Sequence, residues 1–208
     1  MNEGYFEKLA EYSRNLLNRL PISKEVKPLD FTLDLLSSAI KEQKGQETKQ
    51  IEGLWCEKAE IQSKRPEYTG LNTIGLLSDR FTILLIKEWF LRHRYNNPSG
   101  ADKLVQTQTK DIMKAMASAN PGNSSINSKI SNKNPGMTIK TWECAFYNLL
   151  GINLMLWESQ EVLYTKDINI LSSNELREYI HWFSKGNLER NVLIEQAEHL
   201  FWRKIKGK

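Results

Sequence analysis

Four glutamates fall into two pairs three residues apart, Glu158 with Glu161 and Glu175 with Glu178, on segments that read as successive helices. Residues at i and i+3 share a helix face, and carboxylates facing each other across two helices can hold Mg²⁺ or Mn²⁺. The same spacing recurs at Glu57/Glu60 and Glu195/Glu198, so it is equally the mark of solvated helix faces in a charged chain. Among the histidines, His93, His181 and His199, no two lie three or four apart, which excludes a helical zinc pair. The sequence contains no glycine-rich phosphate loop, nucleophile elbow or cysteine–histidine cluster.

A different constellation sits inside the most apolar stretch. The segment from Gly75 to Lys87 places Asp79 and Lys87 inside an otherwise apolar helix. An ionisable side chain there needs a partner, because an unpaired buried charge costs several kcal/mol. A second apolar stretch offers Asn153, Trp157 and Glu161 at four-residue spacing, and a later helix carries Asn187 and Arg190. These seven residues are expected to form a polar seam, with Asp79 against Arg190 or another cation and Lys87 against Glu161 or Asn153. The seam is either a ligand site or a network that only sets helix packing. The tail joins Phe201 and Trp202 to Arg203, Lys204 and Lys206, a candidate set for gripping an anion and stacking a base. Cations at a helix C-terminus also serve simply to meet its dipole.

Helices must position all of these. Apolar spacing predicts one from Glu3 to Leu20, a second from Asp30 to Gly45, and a third over 46–64. The phrase Arg65–Gly70 reads as a turn. Residues 73–95 and 139–164 are apolar nearly all round, as buried helices are. Asn96 to Gly100 ends the first of these, and a more polar helix is expected from Ala101 to Ala119. Residues 120–137, rich in Asn, Ser, Gly and Pro, read as a flexible insert. Thr138 is the expected cap of the second central helix. Ser172 and Glu175 form a capping box for a short helix ending near Lys185, with Gly186–Asn187 as a turn and a last helix from Leu188 to Ile205. The expected fold is therefore all-α, a single multi-helix bundle of seven or eight helices around two buried central ones. Residues 1–65 form a helical N-terminal extension and 66–208 a core domain.

Net charge is +4, an excess that permits an anionic partner without requiring one. Two cysteines, Cys56 and Cys144, make no disulfide framework, and the N-terminus shows no basic and apolar leader, so a cytoplasmic protein is expected. Residues 73–91 carry four charges and 144–157 are too few to cross a bilayer, which takes roughly 20 residues. No membrane span is expected, and no cofactor.

Two family resemblances attach to these residues. The paired glutamates resemble the pattern of all-α nucleotide pyrophosphohydrolases of the MazG type, although Glu178 stands where that family usually has aspartate. More of the chain resembles a family of small bacterial helical proteins classed as a domain of unknown function, with a G-E-L-x-D-K-x-x-I-L-x-x-K signature. Its match is Gly75 to Lys87, followed by an N-x-x-L-W match at Asn153–Trp157 and an N-x-x-R match at Asn187–Arg190. Leu76 replaces the family glutamate, Arg80 the lysine, and Gln160 one of the acids after the tryptophan. This resemblance, over residues 73–200, implies the fold and the seam but no activity. The expected role is a non-catalytic helical binding or accessory subunit of bacterial type, acting with a protein partner or as a homo-oligomer. Its rivals are a nucleic-acid-associated subunit of a defence or processing complex and a metal-dependent nucleotide phosphohydrolase.

Overall fold

The computed structural model describes residues 3–20, 73–119, 139–165 and 168–206. All regular structure among them is helical: α1 (Glu3–Leu17), α2 (Ile74–His93), α3 (Pro98–Leu104), a π-helical segment (Val105–Thr109), α4 (Lys110–Ala117), α5 (Trp142–Thr165), a 3₁₀ turn (Ile168–Ile170) and α6 (Ser173–Ile205). The expected helices over 30–45 and 46–64, the turn at 65–70, the insert at 120–137 and the Thr138 cap lie outside the described residues.

Helix α2 is buried on most of its circumference, as its lack of a polar face demands. Its hydroxyl N-cap, Thr73, accepts from the Leu76 amide. Helix α5 runs alongside in the same direction, with Phe81 against Phe146 near one end and Phe90 against Trp157 near the other. Helix α6 returns antiparallel to α5, so that Lys204 meets Glu143 and Gly186 meets Met155 and Leu156. Where α1, α5 and the end of α6 meet, the Trp142 ring is wholly buried among Tyr5, Phe6, Phe146 and Phe201, with centroids 5.3 to 6.2 Å away. A ring of this size removes roughly 200 Å² from water, worth about 5 kcal/mol before entropy is counted. Residues 3–20, the described part of the expected extension, belong to this same core through Tyr5, Phe6, Leu9, Leu16 and Leu17.

Three local expectations are corrected. The turn at Gly186–Asn187 is not formed, and α6 is one helix of 33 residues. Gly186 is buried, and a Cβ there would come within 2.9 Å of Leu156 and Met155 side-chain carbons. The residue lets two helices approach, and Asn187 donates back to the Phe183 carbonyl at 2.8 Å, as a helix-interior residue does. Helix α5 starts at Trp142, where the Thr141 hydroxyl accepts from the Cys144 amide at 3.2 Å. After α2, Asn96 takes φ 47°, a conformation asparagine tolerates, and α3 begins at once with Asn97 as N-cap and Pro98 in its first turn. The capping box of Ser172 and Glu175 forms as expected.

A glycine inside a helix is ordinarily improved by alanine by about 1 kcal/mol. At Gly75 the opposite is expected. A Cβ there would lie 2.3 Å from the Ile194 carbonyl oxygen, a backbone atom of α6 that no rotamer change can move. Gly75→Ala should destabilise the protein by about 1–3 kcal/mol. Chemical denaturation followed by circular dichroism measures this; equal or greater stability would contradict the close α2–α6 contact.

Candidate functional site

Asp79 lies on the side of α2 that faces both α5 and α6, and is 4% exposed. The Arg190 guanidinium reaches it from α6 as a fork, Nε to Oδ1 at 2.7 Å and Nη2 to Oδ2 at 2.5 Å. Asn153 of α5 donates from Nδ2 to Oδ1 at 2.9 Å and to the Thr82 hydroxyl at 2.8 Å. Thr82 in turn donates to the Asp79 carbonyl at 2.8 Å. Both carboxylate oxygens are thus engaged, as a buried charge requires. Hydrogen bonding to Asp79 raises the Arg190 pKa above its already high ordinary value. Three of the seven expected seam residues, Asp79, Asn153 and Arg190, therefore meet at one point.

The other four do not join them. Lys87 is exposed. Eight residues correspond to about 80° of rotation around a helix, so Lys87 is carried off the face of Asp79. It instead shares an outward stripe with Arg80, seven residues away and exposed as well. Glu161 accepts from the hydroxyl of Tyr95, beyond the end of α2. Burial, and then the bond to Glu161, push the Tyr95 phenol up to about 12, so it stays protonated and donating at neutral pH. Trp157 is half-buried against Phe90, and Asn187 serves its own helix.

Four further carboxylates are buried among the described residues, and each finds a partner on another element. Glu88 accepts from Arg14 of α1 at 3.0 Å and from Arg92 at 3.3 Å; Arg92 also pairs with Asp102. Glu158 takes both forks of Arg94, at 2.6 and 2.8 Å, while that guanidinium lies over the rings of Phe90 and Trp89. Glu143 accepts from Tyr5 at 2.9 Å and pairs with Lys204. Glu198 accepts from the Gly75 amide and the Trp202 indole, both at 2.7 Å, placing a negative charge at the N-terminus of α2. Sequence reasoning missed Glu88, although a signal was present. Glu88 is nine residues from Asp79, half a turn round the helix, so the two acids look to opposite neighbours while Arg80 and Lys87 look outward.

The four glutamates considered for a metal do not converge. Glu158 is held by Arg94, Glu161 by Tyr95, Glu175 caps α6, and Glu178 is exposed. Among the described residues no three His, Cys, Asp or Glu side chains group to hold a metal ion. The anion set is also altered. Lys204 is committed to Glu143, whereas Arg203 and Lys206 are exposed. Phe201 is in the core, and Trp202 is half-buried against it with its indole N–H donating to Glu198, so neither ring stands open to solvent. No described helix is long and apolar enough to cross a membrane. No family model, curated protein or solved structure matches the chain.

The geometry of the seam predicts an asymmetry. Arg190→Ala strands a carboxylate with almost no access to water, and should cost about 3–5 kcal/mol. Asp79→Ala strands a guanidinium whose side chain is 28% exposed, and should cost less. Urea denaturation of the two variants tests the order. Equal stability of both to the parent would remove the pair from the structural core.

Proposed function

We propose that this chain is a helical binding or accessory subunit that meets a protein partner through the end of the bundle where α2 and α5 finish and α6 begins. The observation that carries this reading is where exposed apolar surface lies. Among the described residues the large hydrophobic side chains left open to water are Tyr164 (80% exposed), Ile170 (73%), Ile180 (58%) and Tyr95 (44%). All belong to one end: Tyr95 follows α2 and bonds to Glu161, Tyr164 closes α5, Ile170 is in the 3₁₀ turn, and Ile180 is in the early turns of α6. Single apolar residues scattered over a surface need no explanation, but their concentration marks an interaction site.

The start of α6 points the same way. No described side chain from Ser173 to Lys185 is fully buried, although Leu176, Tyr179 and Phe183 are half-buried along one side. This stretch carries apolar residues without a core of its own to cover them. A protein partner, or a second copy of the chain, would supply the missing surface.

The polar seam fits a scaffold rather than a ligand site, because Asp79, the carboxylate at its centre, has both oxygens engaged, and buried Glu88, Glu143, Glu158 and Glu198 are each held by partners of their own. Asp79, Asn153 and Arg190, three residues of the resemblance to the bacterial helical family, are the trio that meets. That coincidence favours reading the motif as the signature of a packing arrangement.

Native mass spectrometry of the full chain, purified gently from its own host, tests the proposal together with a Tyr164→Ser/Ile180→Ser variant. The parent should carry a stoichiometric protein partner or a second copy, and the variant should lose it at unchanged melting temperature, since both residues are exposed. A parent that is monomeric and partner-free, or a variant that keeps the complex, would overturn the reading.

A further inference from the structure

The opposite end of the α5–α6 hairpin has a different character. The Arg203 guanidinium donates from Nη2 to the Lys140 carbonyl at 3.0 Å, joining two segments 63 residues apart. Lys140, Arg203 and Lys206 are all exposed there. Arg203 lies in the last turn of α6 and Lys206 is the residue that ends it, three residues on, while exposed His199 lies one turn before Arg203. The cation between Arg203 and Lys206 in sequence, Lys204, points inward and neutralises the buried Glu143. Of the tail's cations, one therefore stabilises the fold while its neighbours remain directed to solvent. Lys140 also closes a stretch from Asn120 with three lysines and no acid.

We infer that Lys140, Arg203 and Lys206 form a contact surface for the phosphate backbone of a nucleic-acid duplex. The choice of a duplex over a single strand follows from the aromatics. Single-strand binders combine cations with rings on which bases stack. Here Phe201 is wholly buried, Trp202 is half-buried with its indole N–H held by Glu198, and among the described residues no exposed Phe, Tyr or Trp lies beside these cations, so charge is presented with only the small His199 ring nearby. Contacts to phosphate alone carry no sequence information, and binding is sequence-independent. It is also weak: only three permanent cations are involved, and α1 brings exposed Glu3 and Glu7 to the same end of the bundle, where Tyr5 meets Glu143. The surface is independent of the apolar end proposed for a protein partner.

The test is fluorescence anisotropy of a labelled mixed-sequence 20-base-pair DNA duplex titrated with the full chain at several salt concentrations. Three phosphate contacts give a log–log salt slope of about −2.7, which is roughly a 40-fold loss of affinity between 50 and 200 mM salt. Arg203→Gln/Lys206→Gln should weaken binding and reduce the slope by about 2. Arg80→Gln/Lys87→Gln, which removes as much charge from the outward stripe of α2, should leave slope and affinity unchanged. All four residues are exposed, so circular dichroism should show native folding in both variants. An absence of duplex binding at 50 mM salt, equal losses in the two variants, or tighter binding to a single strand of the same length would each overturn the inference.

Discussion

A carboxylate removed from water must be matched by a cation or by donors, or the helix that carries it cannot pack. Among the described residues five are buried, and each time the partner comes at least partly from another element. Asp79 draws α5 and α6 onto α2. Glu88 holds α1 to α2, Glu143 joins α5 to both α1 and α6, Glu158 ties α5 to the end of α2, and Glu198 fastens α6 to its beginning. Apolar burial is non-directional, and a helix such as α2, apolar nearly all round, has no preferred rotation or register from hydrophobicity alone. The ionic contacts supply that preference. A slip of one residue would rotate Asp79 by about 100°, away from Arg190.

Close approach is the second constraint, and it depends on the first. Glu198 reaches the Gly75 amide at 2.7 Å because the α2 backbone lies almost against the Ile194 carbonyl. Gly186 lets α6 settle on Leu156 and Met155 in the same way. Both glycines stand where two helices would otherwise be held apart by a side chain, and in neither does a turn require them.

How much of this was legible follows from what short-range patterns can carry. The helical class, the ends of α2 and the capping box of α6 depend on neighbours within a few residues, and they stand as read. The link between Asp79 and Arg190 was readable because an acid in an apolar helix demands a cation. Lys87 was not separable from it by that argument, since the demand says nothing of rotation; the 80° offset does. Gly186 was misread because glycine at a turn and glycine at a helix crossing look alike in sequence, and only the partner helix distinguishes them. Glu88 has Arg92 one turn on as a local partner and Glu158 has no cation anywhere on its own helix, so nothing in the sequence pointed to Arg14, 74 residues away, or to the fork of Arg94.

The length of α6 gives these features a common logic. From Ile180 to Arg203 the helix rises about 35 Å, so its apolar beginning and cationic end are too far apart to serve one small ligand. They are nevertheless coupled through a single rigid element, pinned midway by Arg190 on Asp79 and near its end by Lys204 on Glu143. A partner that covers Ile180 and a polyanion that meets Arg203 would be held at a set distance and orientation, without competing for surface. The buried carboxylates would then contribute to function by keeping that spacing, and their chemistry would be spent inside the fold.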